Sequence, residues 1–180
     1  MSSGTGNSTT INYACCPPGS SFWAVLGQTI AIVFSSIGAA YGTAKAGAGI
    51  GTAGLINPGQ VTKLMLPVIM AGILSIYGLI TAIIINSNVT SATKTGAFGM
   101  PYMQAHAQFG AGLCTGLSAL AAGLAIGVAG NAAAKAVAKQ PSLFVVMLII
   151  LIFAEALALY GLIVSLIMAT SGGSDVKCTS

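Results

Sequence analysis

Tyr77-Gly78-Leu79-Ile80 returns as Tyr160-Gly161-Leu162-Ile163, 83 residues further along the chain. The same shift, from 77 to 160, carries Gly27 onto Gly110, Ser35 onto Ser118, Gly47 onto Gly130, Pro58 onto Pro141 and Ala71 onto Ala154. One offset serving both halves of a chain marks a duplication. Each copy keeps the direction of the other, so the repeat is parallel rather than inverted.

Each copy holds two long apolar runs, 22–44 and 64–86 in the first, 107–130 and 143–169 in the second. A run of about 20 residues crosses a hydrocarbon core of about 30 Å as a helix. Backbone groups in lipid must be satisfied within the segment, and the runs lack the alternation of barrel strands, so helices are the form expected. Turn signals close each pair, Asn57-Pro58-Gly59 within 52–63 and Gln140-Pro141 within 132–142. The organisation read from this is a tail (1–21), a first hairpin repeat (22–86), a polar loop (87–106), a second hairpin repeat (107–169) and a tail (170–180). The expected fold class is an all-α membrane protein, four transmembrane helices arranged as two duplicated hairpins and assembling into a ring.

Composition supports that class. Hydrophobic residues make up 56% of the chain and charged residues 4%, whereas a soluble domain carries about a quarter charged residues to cover its surface. The cations are Lys45, Lys63, Lys94, Lys135, Lys139 and Lys177, without arginine; the acids are Glu155 and Asp175; the one histidine is His106. These lysines form no cluster dense enough for nucleic acid. Four of them flank the hairpin turns, and Lys94 and Lys177 lie on the other side. The positive-inside rule therefore expects the turns in the cytosol and both termini lumenal. Asn7-Ser8-Thr9 and Asn88-Val89-Thr90 match the glycosylation triplet on that lumenal side. The N-terminal tail has no positive n-region, so the first span is expected to act as an uncleaved insertion signal. Cys15, Cys16, Cys114 and Cys178 show no metal-site spacing. Cys114 reads as a small hydrophobe, and a disulfide between the tails stays open.

Small residues recur every four positions as Gly38 and Gly42, Gly112 and Gly116, and Gly123 and Gly127, with Gly47 and Gly51 just beyond the first span. That spacing puts them on one helix face, where neighbouring backbones approach closely. Spans one and three are rich in such residues, while spans two and four carry Leu, Ile, Met, Phe and Tyr. A thin inner layer and a bulky outer one suit a ring of repeated hairpins.

Under the repeat, Glu155 falls on Gly72, so one copy carries a carboxylate that the other lacks. Glu155 lies near the middle of span four, in Leu151-Ile152-Phe153-Ala154-Glu155-Ala156-Leu157. A charge at that depth costs at least ~2.5–3.5 kcal/mol, and such groups mark ion and proton pathways. Lipid favours the neutral acid, and ionisation needs water or a cation from another chain. A group neutral in lipid and charged in a wet, cation-bearing place shuttles protons. Tyr77, Tyr160 and Ser75 are the candidate hydroxyl partners of the carboxyl. A hard cation would need several oxygens at once. No Gln, Asn, Asp or second Glu stands at this depth, so the expected ion is the proton, with no metal and no cofactor.

Three stretches carry a family resemblance. They are Gly38-Ala39-Ala40-Tyr41-Gly42-Thr43-Ala44-Lys45, Pro67-Val68-Ile69-Met70-Ala71-Gly72-Ile73, and Ile149-Ile150-Leu151-Ile152-Phe153-Ala154-Glu155 with Tyr160-Gly161-Leu162-Ile163. Over residues 22–169 the chain resembles the c-type proteolipid of vacuolar-type proton-translocating ATPases, in its c or c′ form. The resemblance implies a rotor ring in the membrane Vo sector, built of copies of this chain or close paralogues in lipid. It implies central-stalk subunits on the cytosolic side and a soluble ATP-hydrolysing sector. It also implies a stator a-type subunit whose arginine deprotonates Glu155, and a vacuolar or other acidic-organelle membrane. Tyr77 matches a family tyrosine near the carboxyl. The loop Gly130-Asn131-Ala132-Ala133-Ala134-Lys135 departs from the family, which usually has an Asp and an Arg there, and the N-terminal tail is longer.

Two other classes compete. A passive channel or structural bundle would want a polar stripe along one face, and the spans show none. An intramembrane enzyme would need a Ser/His or acid pair at one depth, and His106 reads as interfacial. No Gly-rich loop followed by Gly-Lys-Ser/Thr occurs, so no nucleotide site is expected on this chain.

Overall fold

Pro58 and Pro141 end the first helix of each hairpin by acting on the residue before them. A residue preceding proline is pushed out of the helical region. Asn57 (φ −146°, ψ 91°) and Gln140 (φ −136°, ψ 99°) are accordingly extended. Each donates its N–H to the last turn, Asn57 to Ala53 (3.0 Å) and Gln140 to Ala136 (2.9 Å). The computed structural model describes residues 19–94 and 100–171, which are helical and contain no strand. Helix α1 covers Ser21–Ile56, α2 Val61–Leu64, α3 Leu66–Lys94, α4 Tyr102–Lys139 and α5 Phe144–Ser171. Short 3-10 turns at Pro58–Gln60 and Pro141–Leu143 begin the returning arms. Four segments, Ser21–Ile56, Pro58–Thr90, Tyr102–Lys139 and Pro141–Ser171, are long and apolar enough to cross a membrane.

The two copies differ in one local feature, and a single residue accounts for it. The second arm of the first hairpin breaks at Met65 into α2 and α3, while α5 is continuous. Pro67 lacks an N–H and cannot extend a helix from the preceding turn, and its repeat equivalent is Ile150.

The helices run beyond the apolar spans. Helix α1 continues past residue 44 to Ile56, and α4 past residue 130 to Lys139. Hydropathy marks what lies in lipid, whereas a helix continues until a breaker stops it; the α4 extension is Ala-rich, while that of α1 carries four glycines and is held by packing on α4 through Gly49. The segment read as the loop 87–106 is helical to Lys94 and again from Tyr102. Two of its hydroxyls bond within their own helix, Ser87 to the Ile84 carbonyl (2.7 Å) and Thr90 to that of Asn86 (3.0 Å). Cys15, Cys16, Cys178, the Asn7 triplet, Lys177 and Asp175 lie outside the described residues.

Two layers form. Helices α1 and α4 pack face to face and parallel, their starts clipped together: Ser20 Oγ donates to the Met100 carbonyl (2.8 Å), and the Met100 N–H donates back to Ser20 Oγ (3.0 Å). Along their seam backbone meets backbone. A Cβ on Gly123 would collide with the Gly38 backbone, one on Gly112 with that of Gly27, and one on Gly38 would lie 2.7 Å from the Ala119 carbonyl oxygen. A Cβ on Gly42, Gly116 or Gly127 would lie 2.9, 3.0 or 3.1 Å from its nearest neighbour. Gly47 and Gly51 share the sequence spacing but face open space.

Helix α3 packs on α1, and α5 on α4. Ser35 presses on Gly78, and Ser118 on Gly161, the same contact in each repeat. The outer faces of α3 and α5 expose Ile76, Ile83, Phe153, Leu157 and Ile167, the surface expected of helices against lipid. At the end where α1 and α4 begin, Trp23, Tyr102, His106 and Phe109 stack, with Tyr102–His106 centroids 4.1 Å apart. Aromatic side chains of this kind sit at membrane–water boundaries.

Candidate functional site

Glu155 stands where the buried and outward faces of α5 meet. Leu151, Ala154 and Ala158 are buried on one side of it, and Ile152, Phe153 and Leu157 are exposed on the other. The carboxyl is itself half-buried. Its Oε1 accepts a hydrogen bond from the Tyr77 hydroxyl at 3.0 Å.

Helix geometry brings the two together. Helices α3 and α5 run parallel, and the repeat sets Gly72 at the depth of Glu155. Tyr77 lies five residues further on. Side chains on a helix lean toward its N-terminus, so the long phenol reaches back to the carboxyl. Gly72 leaves that level clear, since a Cβ there would meet no atom within 4 Å.

The other two hydroxyls lie elsewhere. Ser75 donates to the Gly72 carbonyl of its own helix at 3.0 Å. Tyr160 is 64% exposed on the outward face. Tyr77 is thus the hydroxyl that reaches Glu155 among the three singled out from sequence. Among the described residues no group of three His, Cys, Asp or Glu side chains gathers as a metal would require.

The sequence reading passed over a second polar feature. Thr81, Thr115 and Ser165 come from α3, α4 and α5 and meet in the bundle core, all fully buried. Asn88 adds a tie nearer the end of α3, its Nδ2 donating to the Ala169 carbonyl at 3.0 Å. Each is a polar residue in an apolar span, which is the signal that could have found them. Gln108, also fully buried, has neither amide atom paired with a described group.

Fold and site together define a class: a multi-pass membrane proteolipid made of a duplicated helical hairpin, with one carboxyl at mid-span. The family model for the C subunit of ATP synthase matches residues 26–85 and again 109–168, two matches set apart by the repeat offset. The 16 kDa proteolipid c-type subunit of the V-type proton ATPase of Ovis aries is 49% identical over 154 residues, covering 86% of this chain and 95% of the relative. The Homo sapiens protein of the same name shows the same identity and coverage. The c-type subunit of the V-type proton ATPase of Schizosaccharomyces pombe is 48% identical over 163 residues, 91% of this chain and 97% of the relative. The chain belongs to the family of V-type proton ATPase proteolipids.

Proposed function

We propose that this chain is the proton-carrying rotor subunit of a vacuolar-type ATPase, with Glu155 as the carrier. The observation that carries the reading is the Tyr77–Glu155 pair at mid-span, in a chain whose relatives are named as proton ATPase proteolipids. A charged carboxylate at that depth costs at least ~2.5–3.5 kcal/mol, and one hydrogen bond offsets about 0.5–1.5 kcal/mol. The balance keeps Glu155 neutral while it faces lipid. It releases its proton only where a neighbouring subunit supplies water and a fixed cation, the role assigned to a stator arginine.

The proton cycle then needs motion. Copies of this chain form a ring through the glycine-lined layer of α1 and α4, leaving α3 and α5 toward lipid and stator. ATP hydrolysis in a soluble sector, coupled through a central stalk, turns the ring and moves each protonated carboxyl through lipid from one access path to the other. The lysines beside the hairpin turns orient those turns to the cytosol, with the termini in the lumen of an acidifying organelle.

The decisive experiment replaces Glu155 with Gln and measures ATP-driven proton uptake into vesicles, with assembly checked in the same sample. An assembled ring without uptake is the expected result. Uptake by a fully assembled E155Q ring would make the carboxyl structural and the chain a passive bundle.

A further inference from the structure

Thr81, Thr115 and Ser165 form one polar layer between two apolar clusters. On one side lie Leu74, Ala119 and Ala158, on the other Ala24, Ile85 and Met100. Thr81 Oγ1 lies 3.0 Å from Thr115 Oγ1 and 3.4 Å from Ser165 Oγ.

Each hydroxyl has one proton to give, and the geometry allots them. Ser165 donates to the Leu162 carbonyl at 2.7 Å. Thr81 donates to the carbonyl of Tyr77 at 3.1 Å. Thr115 then donates to Thr81, giving a directed chain from Thr115 through Thr81 to the Tyr77 backbone. A helical threonine has two accessible rotamers, and the Thr115 bond selects the one that reaches Tyr77. From the opposite side Ser35 of α1 presses on Gly78, the next residue. The turn that bears the Tyr77 phenol is therefore gripped from α1 and α4 at once, with Ser165 of α5 packed beside Thr81.

We propose that Thr81, held by Thr115, is a positioning residue for the Tyr77–Glu155 pair. It does not touch the carboxyl. It fixes the backbone from which the phenol donates, and so the hydrogen bond that the carboxyl receives. The proposal rests on the reading of Glu155 as the proton carrier, and it concerns how that carrier is held at rest.

Infrared spectroscopy of the membrane assembly containing the full chain, in lipid, tests this directly. A carboxylic acid that accepts a hydrogen bond on its carbonyl oxygen absorbs at lower wavenumber than one that does not. The difference spectrum against E155Q isolates the Glu155 band. Tyr77→Phe should move that band to higher wavenumber. Thr81→Val, which removes the hydroxyl and keeps the shape, should move it part of the way, and Thr81→Ser should restore it. In the Y77F background T81V should add nothing, because a residue acting through Tyr77 has no separate effect once the phenol oxygen is gone. Thr115→Val should shift the band in the same sense, and it serves as the test should T81V fail to assemble. A T81V or T115V band that coincides with that of the unaltered chain overturns the proposal. So does a T81V shift that persists in the Y77F background, or a Y77F band that does not move. The readout needs no transport. An assembled E155Q ring that still pumps would sink the proton-carrier reading while leaving these band shifts unchanged.

Discussion

The hydroxyl of Tyr77 donates to Oε1 of Glu155 across 3.0 Å, although 78 residues of chain separate the two. Tyr77 belongs to the first repeat and Glu155 to the second. The copy that lacks a carboxyl thus contributes the donor to the copy that has one.

Removing that donor should slow transport without abolishing it. A neutral hydrogen bond contributes about 0.5–1.5 kcal/mol, or about two- to tenfold in a rate that depends on it. Proton uptake by assembled Y77F rings should fall within that range. Tyr160→Phe, at an outward-facing side chain, should stay within about twofold of the unaltered chain. Equal losses in both variants would show that the carboxyl does not depend on Tyr77.

The seam between α1 and α4 should be intolerant of a single methyl group. Gly123→Ala drives a Cβ into the Gly38 backbone, which cannot rotate away, whereas a Cβ at Gly47 meets nothing within 4 Å. Overpacking of this kind costs about 1–3 kcal/mol or more. Thermal stability in detergent should drop for G123A and hold for Gly47→Ala. Matching melting temperatures would contradict the close approach of these helices.

Gln108 should be replaceable at a gain. Its side chain is fully buried and neither amide atom has a partner among the described groups, an arrangement that costs about 1–3 kcal/mol. Gln108→Met keeps the length and removes the polar atoms, so its melting temperature should rise. A fall would show that the amide is satisfied in the assembled membrane protein.

Orientation can be read with tags. Epitopes fused to either terminus should resist protease in sealed vesicles whose cytosolic face points outward. One inserted between Asn57 and Pro58 should be cleaved. The opposite pattern would invert the topology drawn from the lysines.

Much of this molecule is legible in its sequence, because the signals are local or additive. Hydropathy summed over some 20 residues marks a span whatever it packs against. A proline acts on its own neighbour, so Pro58 and Pro141 announce the helix ends at Asn57 and Gln140, whereas the break at Met65, inside a run read as one span, came from the structure. Glu155 stands out because a carboxyl in an apolar run is costly in any fold.

The choice among Tyr77, Tyr160 and Ser75 depends on which way each side chain points around its helix and on what stands opposite. In the folded chain Ser75 turns to its own backbone and Tyr160 outward. The glycine seam makes the same point. The repeat carries Gly27 onto Gly110, yet in space Gly27 meets Gly112, Gly38 meets Gly123 and Gly42 meets Gly127. The facing pairs are offset by two residues from the repeat register, each glycine of one helix lying against backbone of the other. The amino-acid sequence by itself therefore determined the membrane class, the duplication and the depth of the carboxyl, each a property of a segment and its immediate neighbours. Only the tertiary structure decided the stagger, the Thr81–Thr115–Ser165 layer and the partner of Glu155, because those rest on contacts between helices whose rotation and height no single segment encodes.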